Sequence, residues 1–129
     1  MKNKTLLNLL ATVVAAAYFC GCSSTVINGT GTTNTYIYSG GTMKGTENMT
    51  LDQAWSSTQS AIKDLEFTVI TQQKDALAAR LTARTALDRK VEVELRRISD
   101  NLTEVRVHAG SFGDQNLSYT IVQAIQKRR

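Results

Sequence analysis

Few side chains in this 129-residue chain have the chemistry of a catalytic or covalent site. Both cysteines, Cys20 and Cys22, lie near the amino terminus, and the single histidine, His108, is followed by Ser111 and Asp114. Imidazole, hydroxyl and carboxylate are the groups of a Ser-His-Asp triad, but a triad depends on geometry, and the sequence gives no indication that these three side chains converge. We therefore predict no catalytic residues and no metal site, and we expect covalent chemistry at the cysteine pair.

The cysteine pair lies at the end of a predicted secretory leader. Lys2 and Lys4 precede a mostly apolar run from Leu6 to Phe19, which is typical of a signal peptide and shorter than the about 20 residues of a bilayer-spanning helix. Gly21 and Cys22 end this leader in a junction that resembles the lipobox of bacterial lipoproteins, where a small residue fits the peptidase and the thiol carries diacylglycerol. We predict cleavage between Gly21 and Cys22 and lipidation of Cys22.

A second cleavage site competes with this interpretation. Phe19 stands where the lipobox usually has an aliphatic residue, and it would occupy the small-residue position if Cys20 were the acceptor, which makes Cys20 the poorer candidate. The triplet Ala15-Ala16-Ala17 is an ordinary secretory cleavage pattern, and cleavage after Ala17 would release a soluble protein.

Cleavage before Cys22 determines the remaining chemistry. The 107 residues after Cys22 contain no cysteine, so no thiol is left for a disulfide, a metal or a nucleophile. Loss of Lys2 and Lys4 lowers the formal net charge from +4 to +2, which is not the charge pattern of a nucleic-acid-binding protein. No cofactor and no nucleic acid are predicted. The expected partners are the lipid bilayer, through acylated Cys22, and an envelope protein or the cell wall.

The chain divides into a leader (residues 1–21), a lipidated cysteine with a flexible tether (22–35) and one domain (36–129). Residues 23–35 are mostly Ser, Thr, Gly and Asn, a composition that favours a flexible coil. The length that remains is enough for a single small domain.

Two helices are predicted in the domain. Thr50 and Gln53 have the spacing of a capping box, so a helix should begin after Thr50 and continue to Leu65 with one apolar stripe. Trp55 lies on that stripe and is predicted to be the core anchor. Asp114 is predicted to cap a second helix that starts directly after it.

Alternation of apolar and polar residues predicts the strands. Gly40 and Gly41 interrupt the first one and indicate a bulge or a bend. Strands are expected around residues 36–43, 67–71, 77–84, 91–96 and 103–109, with polar turns at 72–75, 87–89 and 99–101. The predicted fold is α+β, an antiparallel sheet of about five strands with two helices packed on one face, in the order β-α-β-β-β-β-α.

The polar face of the predicted sheet carries charges of both signs, which are expected to pair across neighbouring strands in contact with solvent. These residues are Arg80, Arg84, Glu92, Glu94, Glu104 and Arg106.

Several segments of the domain resemble a family of small, uncharacterised bacterial lipoproteins known as a domain of unknown function. The segments are Leu51-Asp52-Gln53-Ala54-Trp55, Lys74-Asp75-Ala76-Leu77, the strand Thr103-Glu104-Val105-Arg106-Val107 and the following Gly110-Ser111-Phe112-Gly113-Asp114, with Ser118 and Ile121. Val107 to Asp114 fit a Val-x-x-Gly-x-Phe-Gly-Asp pattern, although relatives commonly have Ile-Arg-Val directly before the glycine. The resemblance covers about residues 36–127 and implies the fold and the anchor, but no catalytic or ligand residue.

Two functions follow from these observations. The first is a non-enzymatic envelope lipoprotein that binds a partner or has a structural role. Ser23, rather than an acidic residue, follows Cys22, which resembles sorting to the outer membrane with the domain in the periplasm. The alternative is a small-ligand binder or hydrolase that uses residues from His108 to Asp114, with Arg106 beside them.

Overall fold

The computed structural model describes residues 34–129. This part of the chain forms six β-strands and two α-helices. The strands are β1 (Tyr36–Ser39), β2 (Thr42–Glu47), β3 (Thr68–Lys74), β4 (Ala78–Arg84), β5 (Lys90–Ser99) and β6 (Leu102–Ala109), and the helices are α1 (Leu51–Asp64) and α2 (Gln115–Lys127).

The six strands form one antiparallel sheet in the order β1-β2-β6-β5-β4-β3. Both helices pack on the same face of this sheet, where alternate strand residues are buried against the apolar stripes of the helices. No element of residues 34–129 covers the opposite face, which we call the open face. The predicted α+β fold, with an antiparallel sheet and two helices on one side, is confirmed.

The sheet has six strands rather than about five, because residues 36–47 form a hairpin and not one bent strand. Gly40 and Gly41 close the hairpin as a two-residue turn, and both have positive φ angles, which such turns require. Tyr36 lies opposite Gly45 in the hairpin. A Cβ atom at Gly45 would lie 2.7 Å from the Tyr36 ring, so the glycine provides the space for that ring.

Helix α1 begins where the sequence predicts. The Thr50 hydroxyl accepts a hydrogen bond from the Gln53 amide (3.2 Å), and the Gln53 side chain accepts one from the Thr50 amide (3.0 Å), so the capping box is confirmed. Trp55 packs against the core from its margin and is only half-buried. The fully buried aromatic side chain among residues 34–129 is Tyr36, which sequence patterning placed in a short strand and not at the centre of the core.

Strand β3 is longer than predicted. Gln72, Gln73 and Lys74 continue to pair with β4, so the prediction of a turn at 72–75 is wrong. All seven residues of β3 are exposed, and a strand without a buried face has no apolar alternation by which the sequence could reveal it. The turn follows β3, and the Asp75 carboxylate accepts hydrogen bonds from the amides of residues 77 and 78.

Helix α2 starts at the predicted cap. The Asp114 carboxylate accepts a hydrogen bond from the Leu117 amide (2.9 Å), and Ile121 and Ile125 are fully buried against the sheet. Within residues 34–129, neither helix has the length and apolar character needed to cross a bilayer.

Candidate functional site

The predicted lipidation and cleavage residues, Gly21 and Cys22, lie outside the described residues, as does the competing cleavage site at Ala17. The structure therefore describes only the domain that follows these residues in the sequence.

The candidate residues between β6 and α2 are engaged in separate contacts. The Nδ1 atom of His108 lies 3.0 Å from the carbonyl oxygen of Gly41 and 3.4 Å from the Thr42 hydroxyl. Ser111 is exposed, and Asp114 caps α2. Among residues 34–129, no hydrogen bond joins His108 to Ser111 or Asp114, so the structure does not bring the three groups together as a triad.

The Asp114 carboxylate makes contacts that stabilise the fold. The Leu117 amide and the Arg89 guanidinium both bind its carboxylate and hold the pKa of Asp114 below its usual range. The Arg89 contact links the turn between β4 and β5 to the start of α2. A carboxylate that accepts a hydrogen bond from a helix amide and pairs with an arginine acts as a helix cap.

Close packing of two glycines fixes the same turn. Gly113 has a φ angle of +85°, and a Cβ atom there would lie 2.3 Å from the Cα atom of Gly41 and 2.7 Å from the Tyr38 hydroxyl. The turn before α2 therefore rests directly on the turn between β1 and β2. Phe112, directly before Gly113, contributes its backbone to this packing, since a Cβ atom at Gly41 would lie 2.9 Å from the Phe112 carbonyl oxygen, whereas its side chain is exposed.

A buried carboxylate at the other end of β2 is a feature that the sequence analysis missed. Glu47 is fully buried, and each of its two carboxylate oxygens accepts two hydrogen bonds. The donors are Asn34, the hydroxyl of Tyr36 (2.9 Å), the side-chain amide of Gln126 (2.8 Å) and the guanidinium of Arg129 (3.1 Å). We call these five residues the Glu47 cluster.

The Glu47 cluster explains how an acid is tolerated in the core. Buried ionised groups require hydrogen bonds and an opposite charge, and Glu47 has both. Burial and the neighbouring Glu47 carboxylate raise the pKa of Tyr36 well above its usual range, so its hydroxyl remains a donor. The cluster joins Asn34, before β1, to Gln126 of α2 and to Arg129 after it, and these contacts between elements indicate a structural role.

The alternation of buried and exposed residues in β2 predicts that Glu47 is buried. Met43 and Gly45 are buried, and Glu47 has the same phase, which places it on the core face. The predicted first strand ends at residue 43, so its alternation does not reach Glu47.

The open face carries an ordered array of charged side chains. Register pairs Arg80 with Glu94, Glu94 with Arg106, and Arg106 with Lys44, so one row of charged side chains crosses four neighbouring strands. Arg80 forms ion pairs with Glu94 and with Glu92, the latter at 3.4 Å. The predicted cross-strand pairing of charges is confirmed for these residues.

Glu104 organises the centre of the open face. Its carboxylate lies 3.1 Å from the Lys44 amine and 2.9 Å from Nε of Arg106, and the residue is only 9% exposed. Burial by itself would raise the pKa of Glu104, but hydrogen bonds from Lys44 and Arg106 outweigh it and hold the pKa below the usual range. Glu104 therefore stays ionised and fixes the two cations in position.

Two shallow concavities meet at Glu104 and Arg106. One, of about 520 Å³, extends over β5, β4 and β3 and includes Arg80 and Arg96. The other, of about 490 Å³, extends over β2 and β1 and includes Lys44. Among residues 34–129, no group of three or more His, Cys, Asp or Glu side chains could hold a metal ion. The arrangement can bind an anionic or polar partner along the sheet.

Comparison with known families gives one match. A family model described as "Protein of unknown function (DUF3568)" matches residues 4–128, which include the apolar run, both cysteines and every element of the described domain. A search of curated proteins finds no match.

Proposed function

The chain belongs to DUF3568, a family of proteins of unknown function, and we propose that it is a lipid-anchored protein of the bacterial cell envelope whose domain is a non-enzymatic binding or structural module. The observation that carries the proposal is the junction of the apolar run with Gly21 and Cys22. The small residue suits cleavage before Cys22, and the freed cysteine carries the lipid. Two or more acyl chains hold a protein firmly at a membrane, whereas one binds only marginally.

The segment between the anchor and the domain suits a tether. Residues 23–33 separate Cys22 from Asn34, and an extended chain of this length spans at most about 40 Å. Asn34 is buried and binds Glu47, which supports a tether that ends at the Glu47 cluster. Ser23 after the lipidated cysteine favours the outer membrane, with the domain in the periplasm.

The domain supports a binding or structural role through its contacts. The side chains with catalytic potential, His108 and Asp114, are used in turn and cap contacts, while the open face presents a fixed array of charges. An envelope protein or the cell wall is the proposed partner, together with the bilayer that holds Cys22.

Mass spectrometry of the mature amino terminus tests the anchor. We expect a first residue Cys22 that carries acyl chains, and we expect Cys22→Ala to move the protein from the membrane fraction to the soluble fraction. Cys20→Ala is the matched control and should leave the protein in the membrane fraction. An unmodified amino terminus at Tyr18 would show that the Ala17 site is used and would refute the lipid anchor.

A further inference from the structure

The centre of the open face carries more cations than acids. Four neighbouring strands each contribute one basic side chain to the two concavities, and two acidic side chains lie among them. The cations are Lys44 of β2, Arg106 of β6, Arg96 of β5 and Arg80 of β4, and the acids are Glu94 and Glu104. Lys74 and Asp75 also line the first concavity and offset each other in charge, and Glu92 beside it pairs with Arg80, so four cations face three acids. The local balance is therefore positive, and a bound partner should be negative.

The two acids are already engaged. Glu104 binds Lys44 and Arg106, and Glu94 binds Arg80. Arg96 lies directly opposite Glu104 in the register, yet within residues 34–129 it takes part in no ion pair. Arg96 thus presents a full guanidinium group to the concavity, and the engaged acids hold its neighbours in fixed positions.

Spacing along the row indicates the shape of the partner. Neighbouring strands lie about 4.8 Å apart, so Lys44 on β2 and Arg80 on β4, at the two ends of the row, are separated by about 14 Å, with Arg106 between them. Arg96 lies beside the row, two residues along β5 from Glu94. In an extended peptide, side chains on one face recur about every 7 Å, so carboxylates at three alternate positions cover the same distance. The shallow form of the concavities suits a chain that lies across the strands.

We propose that the cations Lys44, Arg80, Arg96 and Arg106 of the open face bind an extended acidic segment of another protein, with carboxylates at alternate residues. Arg96 is the principal contact, because its donors are free. This inference rests on the proposed role as a binding module and does not depend on the lipid anchor.

Binding of a defined peptide to the full chain in an uncharged detergent tests the inference. The probe is a fluorescein-labelled peptide with three aspartates that alternate with glycines, and fluorescence anisotropy is measured at low salt. We expect saturable binding that Arg96→Glu weakens about tenfold or more, since a favourable contact becomes a repulsive one. Because Arg96 is exposed and holds no ion pair, its replacement should leave the circular dichroism spectrum unchanged.

The matched control is Lys63→Glu, which makes the same charge change on α1, where Lys63 is exposed on the other side of the domain. It should leave the affinity within about twofold of the unchanged protein, because salt screens distant exposed charges. No saturable binding, or equal weakening by the two variants, would overturn the proposal.

Two competing ligands are separated by further measurements. Equal binding of a peptide whose three aspartates are contiguous would overturn the alternate spacing. Displacement of the probe by an equal concentration of glycerol phosphate would also overturn the proposal and would indicate a lipid headgroup as the ligand. A chain whose Cys22 is acylated but that binds no acidic peptide would keep the proposed anchor and lose only this inference.

Discussion

At the scale of single residues, Glu47 dominates the energetics of the described domain. A carboxylate of this burial is stable only while every donor around it is present, because an unpaired buried charge costs several kcal/mol. The donors are Asn34, which precedes β1, Tyr36 in β1, Gln126 in α2 and Arg129, which follows α2, while Glu47 itself ends β2. The loss of one residue should therefore affect several elements at once.

Replacement of Glu47 by alanine tests this role. We expect Glu47→Ala to lower the free energy of unfolding by about 2–4 kcal/mol, because four donors lose a charged acceptor in the core. Urea denaturation gives the value. The matched control is Glu94→Ala, which removes an acid from an exposed ion pair with Arg80 and should cost less than about 1 kcal/mol. Equal losses for the two variants would contradict a special role for Glu47.

Tyr36 gives the Glu47 cluster a dependence on pH. Burial and the Glu47 charge raise the pKa of Tyr36 in the folded state, whereas an unfolded tyrosine titrates near about 10. The stabilising effect of the bound proton is therefore complete below about pH 10 and is lost as the pH rises above it, because only the unfolded state then releases the proton.

Tyr36→Phe isolates this effect. Between about pH 9 and pH 11, the urea midpoint of the unchanged protein should fall more than that of Tyr36→Phe, which has no phenol proton to lose. Tyr119→Phe is the control for the removal of a half-buried hydroxyl. Its urea midpoint should fall as much as that of the unchanged protein. A midpoint that falls equally in the unchanged protein and in Tyr36→Phe would show that the Tyr36 proton does not contribute.

At the scale of elements, the turn before α2 is defined by what it packs against. Gly110 and Gly113 both have positive φ angles, but only Gly113 lies against another backbone. A Cβ atom at Gly110 would meet only the Arg89 side chain, at 3.6 Å. Replacement of each glycine by alanine therefore distinguishes the free-energy cost of a left-handed conformation from that of a steric clash.

Alanine replacement at the two positions gives different losses. Gly110→Ala should cost about 1–2 kcal/mol, the cost of a left-handed conformation. Gly113→Ala should cost clearly more, because the new methyl group lies 2.3 Å from the Gly41 Cα atom and the hairpin turn must move away. Chemical denaturation of both variants gives the comparison, and equal losses would show that the turn can shift without cost.

The same elements show how far sequence patterning extends. Strands β4, β5 and β6 each have a buried and a polar face, so alternation predicted them, and Thr50 and Asp114 predicted the helix starts. The predicted β3 is too short because the strand has no buried face to produce alternation. The hairpin of β1 and β2 is not predicted because Gly40 and Gly41 fit a bend as well as a turn. The pairing of Arg80 with its acid partners is predicted correctly. The pairing of Lys44 is not predicted, because Lys44 lies in β2, beyond the end of the predicted first strand.

At the scale of the whole molecule, β1 and α2 run between the same two contacts. At one end, Gly41 packs against Gly113, and at the other, Asn34 and Arg129 meet on Glu47. The described chain therefore starts and ends at the same end of the domain. The proposed tether would therefore join the domain at the end that carries the Glu47 cluster.

Sheet order determines which parts of the molecule should open first. β5 and β6 lie in the middle of the sheet, with alternate buried residues over residues 91–95 of β5 and along β6, whereas β3 is an edge strand with seven exposed residues. Local opening is easiest where few apolar contacts must break. In native-state hydrogen exchange, the amides of β3 that bond to β4 should therefore exchange at least about tenfold faster than those of residues 91–95 in β5.

Strand β1 is the control for this measurement, since it is the other edge but carries the buried Tyr36. Its bonded amides should exchange more slowly than those of β3, because opening β1 exposes Tyr36 and breaks the Glu47 cluster. Glu47→Ala should remove that difference by accelerating exchange in β1 more than in β3. Uniform exchange rates in β1, β3 and β5 would show that the domain opens only as a whole, and the edge strands would then owe their protection to the complete sheet.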